Sequence, residues 1–342
     1  MRLLTRFLLT LVIGLPAAAQ ITQPIPAPIL KDDQVEFDSQ PSRAFDTSVR
    51  SLLNQEDFDQ LEQIATEARS TKARFTGGDW KLRHFYSVVE DPGSQTAPDI
   101  TWANHIERLK RWVALKPQSV TSLVALGTAY VQFGWKARGT GYAKTVPADS
   151  WKLFFERVHQ GREVLEQAES LPTKDPQLYA SLQSVALAQS WSRPQKDVLL
   201  DQEMLMEPLY TGFHIGRVTL LLPNWGGKAN EAEAFAQNLA DQIGGDEGNF
   251  LYFRIASAMN CCYSNDQLSL SWERVKLGFA ALERLYGSTN DLRNRMAFMA
   301  VRQKDTEFAQ QLFTRIGNDW SSAVWRSKER FDAARAPLPA SN

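Results

Sequence analysis

Apolar residues recur every three or four positions through most of residues 46–333, a spacing that predicts amphipathic α-helices. The pattern is clearest over residues 58–68, 151–168, 232–243, 272–286 and 308–316. Asp57 and Asp305 stand just before two of these stretches and are predicted N-caps. Gly244, Gly287 and Gly317 follow three of them and are predicted to end the helices, with Gly244-Gly245 forming a left-handed C-cap.

Alternation of apolar and polar residues, which is typical of half-buried strands, is almost absent from the chain. Residues 218–222 form the one notable β-like run, which Pro223 ends, and a helix fits the same residues equally well. The sequence therefore predicts an all-α fold.

The predicted helices come in pairs. Stretches that combine small and aromatic residues occur at 123–133, 179–191, 252–259 and 295–300. Asp57 and Asp305 look like parts of the short turns between two paired helices. This resembles a degenerate tetratricopeptide-type array, in which each pair buries its apolar face against the next pair. The stretches lie roughly 55, 75 and 40 residues apart instead of 34, so we expect an irregular helix-pair array, either an α-solenoid or a compact helical bundle.

The first residues have the layout of a secretory signal peptide. Arg2 and Arg6 precede an apolar run over residues 7–15, and three alanines end at Ala19. We expect residues 1–19 to be removed after Ala19. The run is too short for a stable membrane anchor, which takes about 20 residues. The predicted localisation is therefore periplasmic or secreted.

The rest of the chain divides by composition. Residues 20–45 are rich in Pro, Gln and Asp and are predicted to form a flexible linker. Residues 46–333 are the predicted helical-repeat domain, with a possible sub-boundary near 244–249, and residues 334–342 are a predicted tail.

The charge balance argues against nucleic acid or an anionic membrane surface as a partner. The net charge is −1, and loss of Arg2 and Arg6 lowers it by two. A surface for nucleic acid would need a basic excess, so no nucleic acid partner is expected. No second long apolar segment follows, so we expect no integral membrane segment in the mature chain.

Several fragments, in their order and spacing, resemble one bacterial family. They are residues 57–69, Gly78-Asp79-Trp80-Lys81-Leu82 with Phe85-Tyr86, residues 102–112 with Pro117-Gln118-Ser119, Trp135-Lys136-Ala137-Arg138-Gly139, and Leu222-Pro223-Asn224-Trp225-Gly226-Gly227. Together they resemble the domain-of-unknown-function family numbered four-zero-three-four, over roughly residues 49–251. The resemblance implies a tetratricopeptide-like helical protein without an assigned activity, and it supplies no catalytic residues.

The first candidate binding segment is residues 134–142, interpreted as a loop. Its glycines would let a ligand approach the backbone closely. Trp135 and Tyr142 could stack on a ring, and Lys136 and Arg138 supply positive charge. Arg138 could hold a carboxylate or phosphate. The alternative is a helix-ending turn whose aromatic residues fill the core and whose arginine pairs with a glutamate.

The second candidate segment is residues 223–227, where Trp225 could form the rim of a groove. The alternative is an ordered turn between helices with Trp225 buried, since Pro and Gly mark loops in general.

No catalytic residue, metal site or cofactor is predicted. The four histidines, His84, His105, His159 and His214, show no paired ligand spacing. Cys261 and Cys262 are adjacent, and a disulfide between them would form a strained ring. We interpret them as free thiols, with a redox switch or an intermolecular bridge as alternatives.

The sequence favours an exported helical-repeat protein that binds a protein or peptide partner as an adaptor, with Trp135, Arg138 and Trp225 as anchors. The alternative is an envelope carbohydrate-binding or carbohydrate-active protein that uses exposed tryptophans, of which the chain has ten in all. A purely structural domain is a third possibility.

Overall fold

A computed structural model describes residues 40–262 and 270–336. These residues form sixteen α-helices and no strand, apart from one isolated antiparallel bridge between Arg74 and Trp80. The prediction of an all-α fold is therefore confirmed. The first eight helices are α1 (Gln40–Gln55), α2 (Phe58–Thr71), α3 (Lys81–Val89), α4 (Asp99–Leu115), α5 (Val120–Arg138), α6 (Ala148–Ser170), α7 (Pro176–Ala188) and α8 (Arg193–Met206).

The remaining helices are α9 (Thr211–Leu220), α10 (Glu231–Ile243), α11 (Gly245–Cys262), α12 (Trp272–Tyr286), α13 (Asn290–Arg302), α14 (Thr306–Ile316), α15 (Ser322–Trp325) and α16 (Lys328–Arg335). Two short 3-10 helices, Ala143–Thr145 and Pro223–Trp225, lie in the connections. None of the helices in the two described ranges is long and apolar enough to cross a membrane.

The two predicted N-caps are confirmed. The backbone N–H of Gln60 donates to the Asp57 carboxylate at 3.1 Å, and that of Phe308 donates to Asp305 at 3.2 Å. Gly244, Gly287 and Gly317 end α10, α12 and α14 as predicted, with φ angles of +74°, +69° and +62°. The ψ angle of Gly244 is +174°, so its conformation differs from the left-handed helical cap that was predicted for it. The ambiguous run at 218–222 completes α9 and the turn after it, so its helical interpretation is correct.

Some predictions concern residues that the structure does not describe. The signal peptide, the linker up to residue 39 and the tail from residue 337 lie outside the described residues, as do the side chains of Cys261 and Cys262. Residues 40–45, which we expected to belong to the linker, form the first turns of α1, and α16 continues to Arg335.

Glycines bring neighbouring helices into close antiparallel contact. A Cβ atom on Gly161 of α6 would lie 2.7 Å from the carbonyl oxygen of Gly127 in α5. A Cβ on Gly278 of α12 would lie 2.2 Å from the carbonyl oxygen of Asn249 in α11. These backbones approach so closely that only glycine fits, which is how successive helices pack into pairs.

The buried apolar residues form two clusters. One runs from Val49 to Phe213 and the other from Val218 to Phe331, so the two meet within α9. Near the sub-boundary predicted at 244–249, a Cβ on Gly248 would lie 2.2 Å from the carbonyl oxygen of Ala240. Helices α10 and α11 are thus packed together at this point, and the sub-boundary itself stays a prediction.

The loop of residues 73–80 connects the two clusters. Its Gly77 N–H donates to the carbonyl of Tyr286 at 3.3 Å, and the Trp80 indole N–H donates to the carbonyl of Leu209 at 3.0 Å. Asp79 forms an ion pair with Arg254 of α11. The loop therefore joins the N-terminal helices to α11 and α12.

Candidate functional site

Four aromatic side chains from three separate segments meet beside the C-terminal end of α5. The rings of Trp135 and Trp225 lie 6.4 Å apart and nearly perpendicular, at 86°. Trp151 and Phe155 of α6 stack on each other at 5.4 Å and 17°. Buried Phe154 contacts Trp135 at 4.9 Å and Trp151 at 5.6 Å and so joins the two pairs. We call Trp135, Trp151, Phe155 and Trp225 the aromatic surface.

The interpretation of residues 134–142 as a loop is wrong for its first half. Residues up to Arg138 form the last turns of α5. Gly134 is compatible with a helix here because it faces α6, where its Cβ would lie 3.0 Å from Val158 and 3.1 Å from the carbonyl oxygen of Phe154. The glycine serves helix packing, so it does not indicate a ligand-binding turn.

Trp225 lies in a connection, as predicted, within a 3-10 helix. Gly226 follows it with φ +92°, and a Cβ on Gly227 would lie 1.8 Å from the carbonyl oxygen of Leu221. The two glycines thus allow the chain to turn back tightly on α9 and place the Trp225 ring against Trp135. Trp225 is 37% exposed, so the alternative in which it is buried does not hold.

Lys136 has a structural partner. Its ammonium group forms an ion pair with Asp99, the first residue of α4, and Arg157 approaches the same carboxylate at 3.1 Å. The hydrogen bond from Lys136 contributes most to lowering the pKa of Asp99. Lys136 therefore links α5 to α4 through an ion pair and is not part of the aromatic surface.

Arg138 holds the loop that follows α5. One of its terminal nitrogens donates to the carbonyls of Gly139 at 2.9 Å and Gly141 at 3.2 Å. Its guanidinium carbon lies 5.7 Å from the Trp135 ring and 5.5 Å from the Trp151 ring. The arginine packs on the aromatic rings by cation–π contact. It pairs with backbone carbonyls, whereas the alternative interpretation paired it with a glutamate.

Tyr142 is 82% exposed, and none of the ring contacts in the described part of the chain involves it. The structure thus brings Trp135, Arg138 and Trp225 together and leaves Lys136 and Tyr142 apart. Trp151 and Phe155 are not among the predicted anchors, because the sequence pattern of their whole stretch is that of a core-facing helix. The four-residue spacing of these two aromatic residues was the available signal, since such pairs share one helix face.

Burial strongly shifts the pKa values of two groups that are not part of the aromatic surface. Burial raises the pKa of Glu203 to about 10 and lowers the pKa of His214 to about 4. His214 donates from Nε2 to the carbonyl of Pro208 at 2.7 Å, a structural contact. Within residues 40–262 and 270–336, no group of three or more His, Cys, Asp or Glu residues is arranged to hold a metal ion.

No protein-family model, curated protein or solved structure matches this chain. The resemblance to the family numbered four-zero-three-four stays a prediction.

Proposed function

We propose that this chain is an exported helical-repeat adaptor that binds a protein or peptide partner through the aromatic surface. One observation carries the proposal: residues distant in sequence, Trp135 and Trp225, meet beside the end of a helix pair. Trp225 is 37% exposed and Phe155 is 50% exposed. Exposed aromatic residues on a rigid base are the usual anchors of protein interfaces, because they bury much apolar area at little cost in conformational entropy.

The contacts within the surface favour an apolar peptide segment over a sugar. A sugar that stacks on an aromatic ring needs an open ring face. Trp151 and Phe155 stack on each other, and Trp135 is contacted by Phe154, Trp225 and Arg138. An aliphatic or aromatic side chain of a peptide can instead contact ring edges, which edge-to-face packing favours.

The second candidate function is carbohydrate binding. Trp80, Trp102, Trp112 and Trp325 are buried, but the exposed side of Trp225 leaves a place where a sugar ring could pack. This alternative rests on a single tryptophan, whereas the peptide proposal uses the whole aromatic surface.

A random-sequence peptide library displayed on phage, selected on the purified chain, tests the proposal. We expect enriched peptides to carry an aromatic or large aliphatic residue. Synthetic copies of these peptides should bind the unaltered protein. Trp225→Ser combined with Phe155→Ser should lower the affinity for the peptides by about tenfold or more, which is typical of losing a hot-spot residue. Leu205→Ser is the matched control, because Leu205 is 84% exposed on α8, outside the aromatic surface.

Peptide binding that survives the double substitution would overturn the proposal, as would a selection that enriches no sequence. Binding to a glycan array that depends on Trp225 but not on Phe155 would replace it with the carbohydrate alternative.

A further inference from the structure

A cavity of about 450 Å³ lies beside α13, α15 and α16. Four arginines line it: Arg295 and Arg302 from α13, Arg326 at the end of α15, and Arg330 from α16. No Asp or Glu is among the described lining residues. Because the whole chain has nearly equal numbers of acidic and basic residues, this concentration of positive charge is local. We call it the arginine cavity.

The four arginines differ in their partners, and the guanidinium groups of Arg326 and Arg330 have no neutralising carboxylate among the described residues. Arg295 forms an ion pair with Asp291 at 2.7 Å, and Arg302 lies 5.8 Å from the ring of Phe298. In the described part of the chain, neither Arg326 nor Arg330 forms a salt bridge, and both side chains are exposed. Cations gathered without counter-charges attract anions, and arginine binds carboxylate and phosphate groups in a bidentate manner.

The base of the arginine cavity is apolar and fixed in place. Phe298, Met299, Val324 and Trp325 line it. The Trp325 ring packs against Phe298 at 5.4 Å, and its indole N–H donates to the side-chain oxygen of buried Asn294 at 2.8 Å. An apolar base with a few charged groups at its edge is typical of small-molecule sites, and the volume lies in their range.

We propose that the arginine cavity binds an amphiphilic organic anion, with its apolar body against Phe298 and Trp325 and its anionic group held by Arg326 and Arg330. A neighbouring cavity of about 420 Å³ shares Ser257 and Arg295 with it, which provides room for a longer body. The site is separate from the aromatic surface, so each of the two proposals can fail without the other.

The fluorescence of 1-anilinonaphthalene-8-sulfonate, an aromatic anion, measures binding at this site. N-phenyl-1-naphthylamine has the same rings without the charge and serves as the neutral probe. We expect the sulfonate to bind more tightly than the neutral probe. Arg326→Gln combined with Arg330→Gln should lower the affinity for the sulfonate by about tenfold, because charge-assisted hydrogen bonds are lost.

Lys144→Gln combined with Lys152→Gln is the matched control. It removes the same two charges from exposed positions outside the cavity lining and should leave sulfonate binding unchanged. Because Arg330 lies on an exposed face of α16, the single Arg330→Gln variant keeps the test open if the double variant misfolds.

Displacement of the bound sulfonate identifies the kind of body that the cavity accepts. Displacement by decanoate supports the proposal and indicates that the apolar body of the ligand is an alkyl chain. Displacement by naphthalene-2,6-disulfonate supports it and indicates that the body is a ring system. Equal binding of the charged and neutral probes would overturn the proposal. So would sulfonate binding that is insensitive to the arginine variants, or failure of both competitors.

Discussion

Two buried carboxylates, Asp175 and Glu203, differ in whether they accept hydrogen bonds. Asp175 accepts hydrogen bonds from Arg69 at 2.8 Å, Tyr86 at 2.7 Å and the backbone N–H of Gln177 at 2.9 Å. Glu203 is fully buried, and neither of its carboxylate oxygens has a hydrogen-bond partner in the described part of the chain. A buried charge without a partner is costly, so Glu203 is expected to carry a proton at neutral pH.

This difference predicts a pH-dependent effect of Glu203→Gln. The pKa of Glu203 rises from 4.5 to about 10 on folding, mainly through desolvation. The folded state therefore retains a proton that the unfolded state releases, and the stability present below pH 4.5 is lost as pH rises toward 10. Glutamine cannot titrate, so the variant should gain about 1.4 kcal/mol in unfolding free energy per pH unit, relative to the unaltered protein, across this window.

Urea unfolding at several pH values between these limits measures the effect. Glu156→Gln, at an exposed position of α6, is the control and should show no such trend. A constant difference between the Glu203 variant and the unaltered protein at all pH values would contradict the expectation.

At the scale of helices, two features recur: capping turns and glycine contacts. The turns before α2 and α14 have the same construction, with Glu56 or Lys304 in a left-handed conformation and then an aspartate N-cap. The aspartate N–H in each turn donates back to the preceding helix at 3.0 Å, to Leu52 or to Ala300. Each turn ends one helix and starts the next within a few residues.

Asp305→Ala should cost more stability than Asp57→Ala. Both lose a cap, worth about 1 kcal/mol. Asp305 also accepts hydrogen bonds from the Trp272 indole at 2.8 Å and from Lys276 at 3.0 Å, and so holds α12. We expect a loss of about 1 kcal/mol for Asp57→Ala and about 2–3 kcal/mol for Asp305→Ala, measured by chemical denaturation. Equal losses would show that the Trp272 and Lys276 contacts add nothing.

Gly161→Ala should destabilise the protein although alanine favours helices. Its Cβ would lie 2.7 Å from both the carbonyl oxygen of Gly127 and the side chain of Val131. The expected net cost is about 1–3 kcal/mol, because overpacking outweighs the gain in helix propensity.

Gly216→Ala in α9 is the matched control, since its Cβ would meet only Gln183 at 3.4 Å. It should be neutral or stabilising by up to about 1 kcal/mol. If thermal denaturation shows a change in stability of the same sign for both variants, then the close approach of α5 and α6 does not explain why residue 161 is a glycine.

For the molecule as a whole, the loop of residues 73–80 determines how the two hydrophobic clusters are joined. The Arg74 guanidinium lies 4.4 Å from the Trp80 ring, 4.8 Å from the Tyr286 ring and 5.5 Å from the Phe250 ring. Residues from both clusters thus surround one arginine. The loop gives long-range contacts to an array whose helices otherwise pack mainly against neighbours in sequence.

Gly78→Ala should weaken this connection. Gly78 has φ +81°, and its Cβ would lie 2.6 Å from the Phe250 ring. Gly93→Ala is the control for backbone strain alone, because Gly93 has φ +108° with no atom within 4 Å of its Cβ. We expect Gly93→Ala to cost about 1 kcal/mol and Gly78→Ala at least about 2 kcal/mol more. Equal losses of unfolding free energy for the two variants would mean that the Phe250 side chain can move aside without loss of stability. The contact between Gly78 and Phe250 would then not hold the two clusters together.

The candidate site was only partly predictable. The loop interpretation that favours Trp135, Arg138 and Trp225 as anchors is wrong for the first two, which belong to α5. Trp135 meets Trp225 because the turn after α9 folds back, and no local sequence pattern predicts this contact. The sequence does not single out Trp151 and Phe155, because an aromatic residue in a helical stripe gives the same pattern whether its ring is buried or exposed.

The sequence by itself determined the class of the fold, the caps and the helix ends, because these depend on side chains within a few positions of one another. Only the tertiary structure decided that Gly134 belongs inside a helix, since its reason is the approach of α6. The same holds for the aromatic surface, the joining of the clusters by residues 73–80 and the arginine cavity. Each arises from segments far apart in the chain, which meet only when helix packing brings them together.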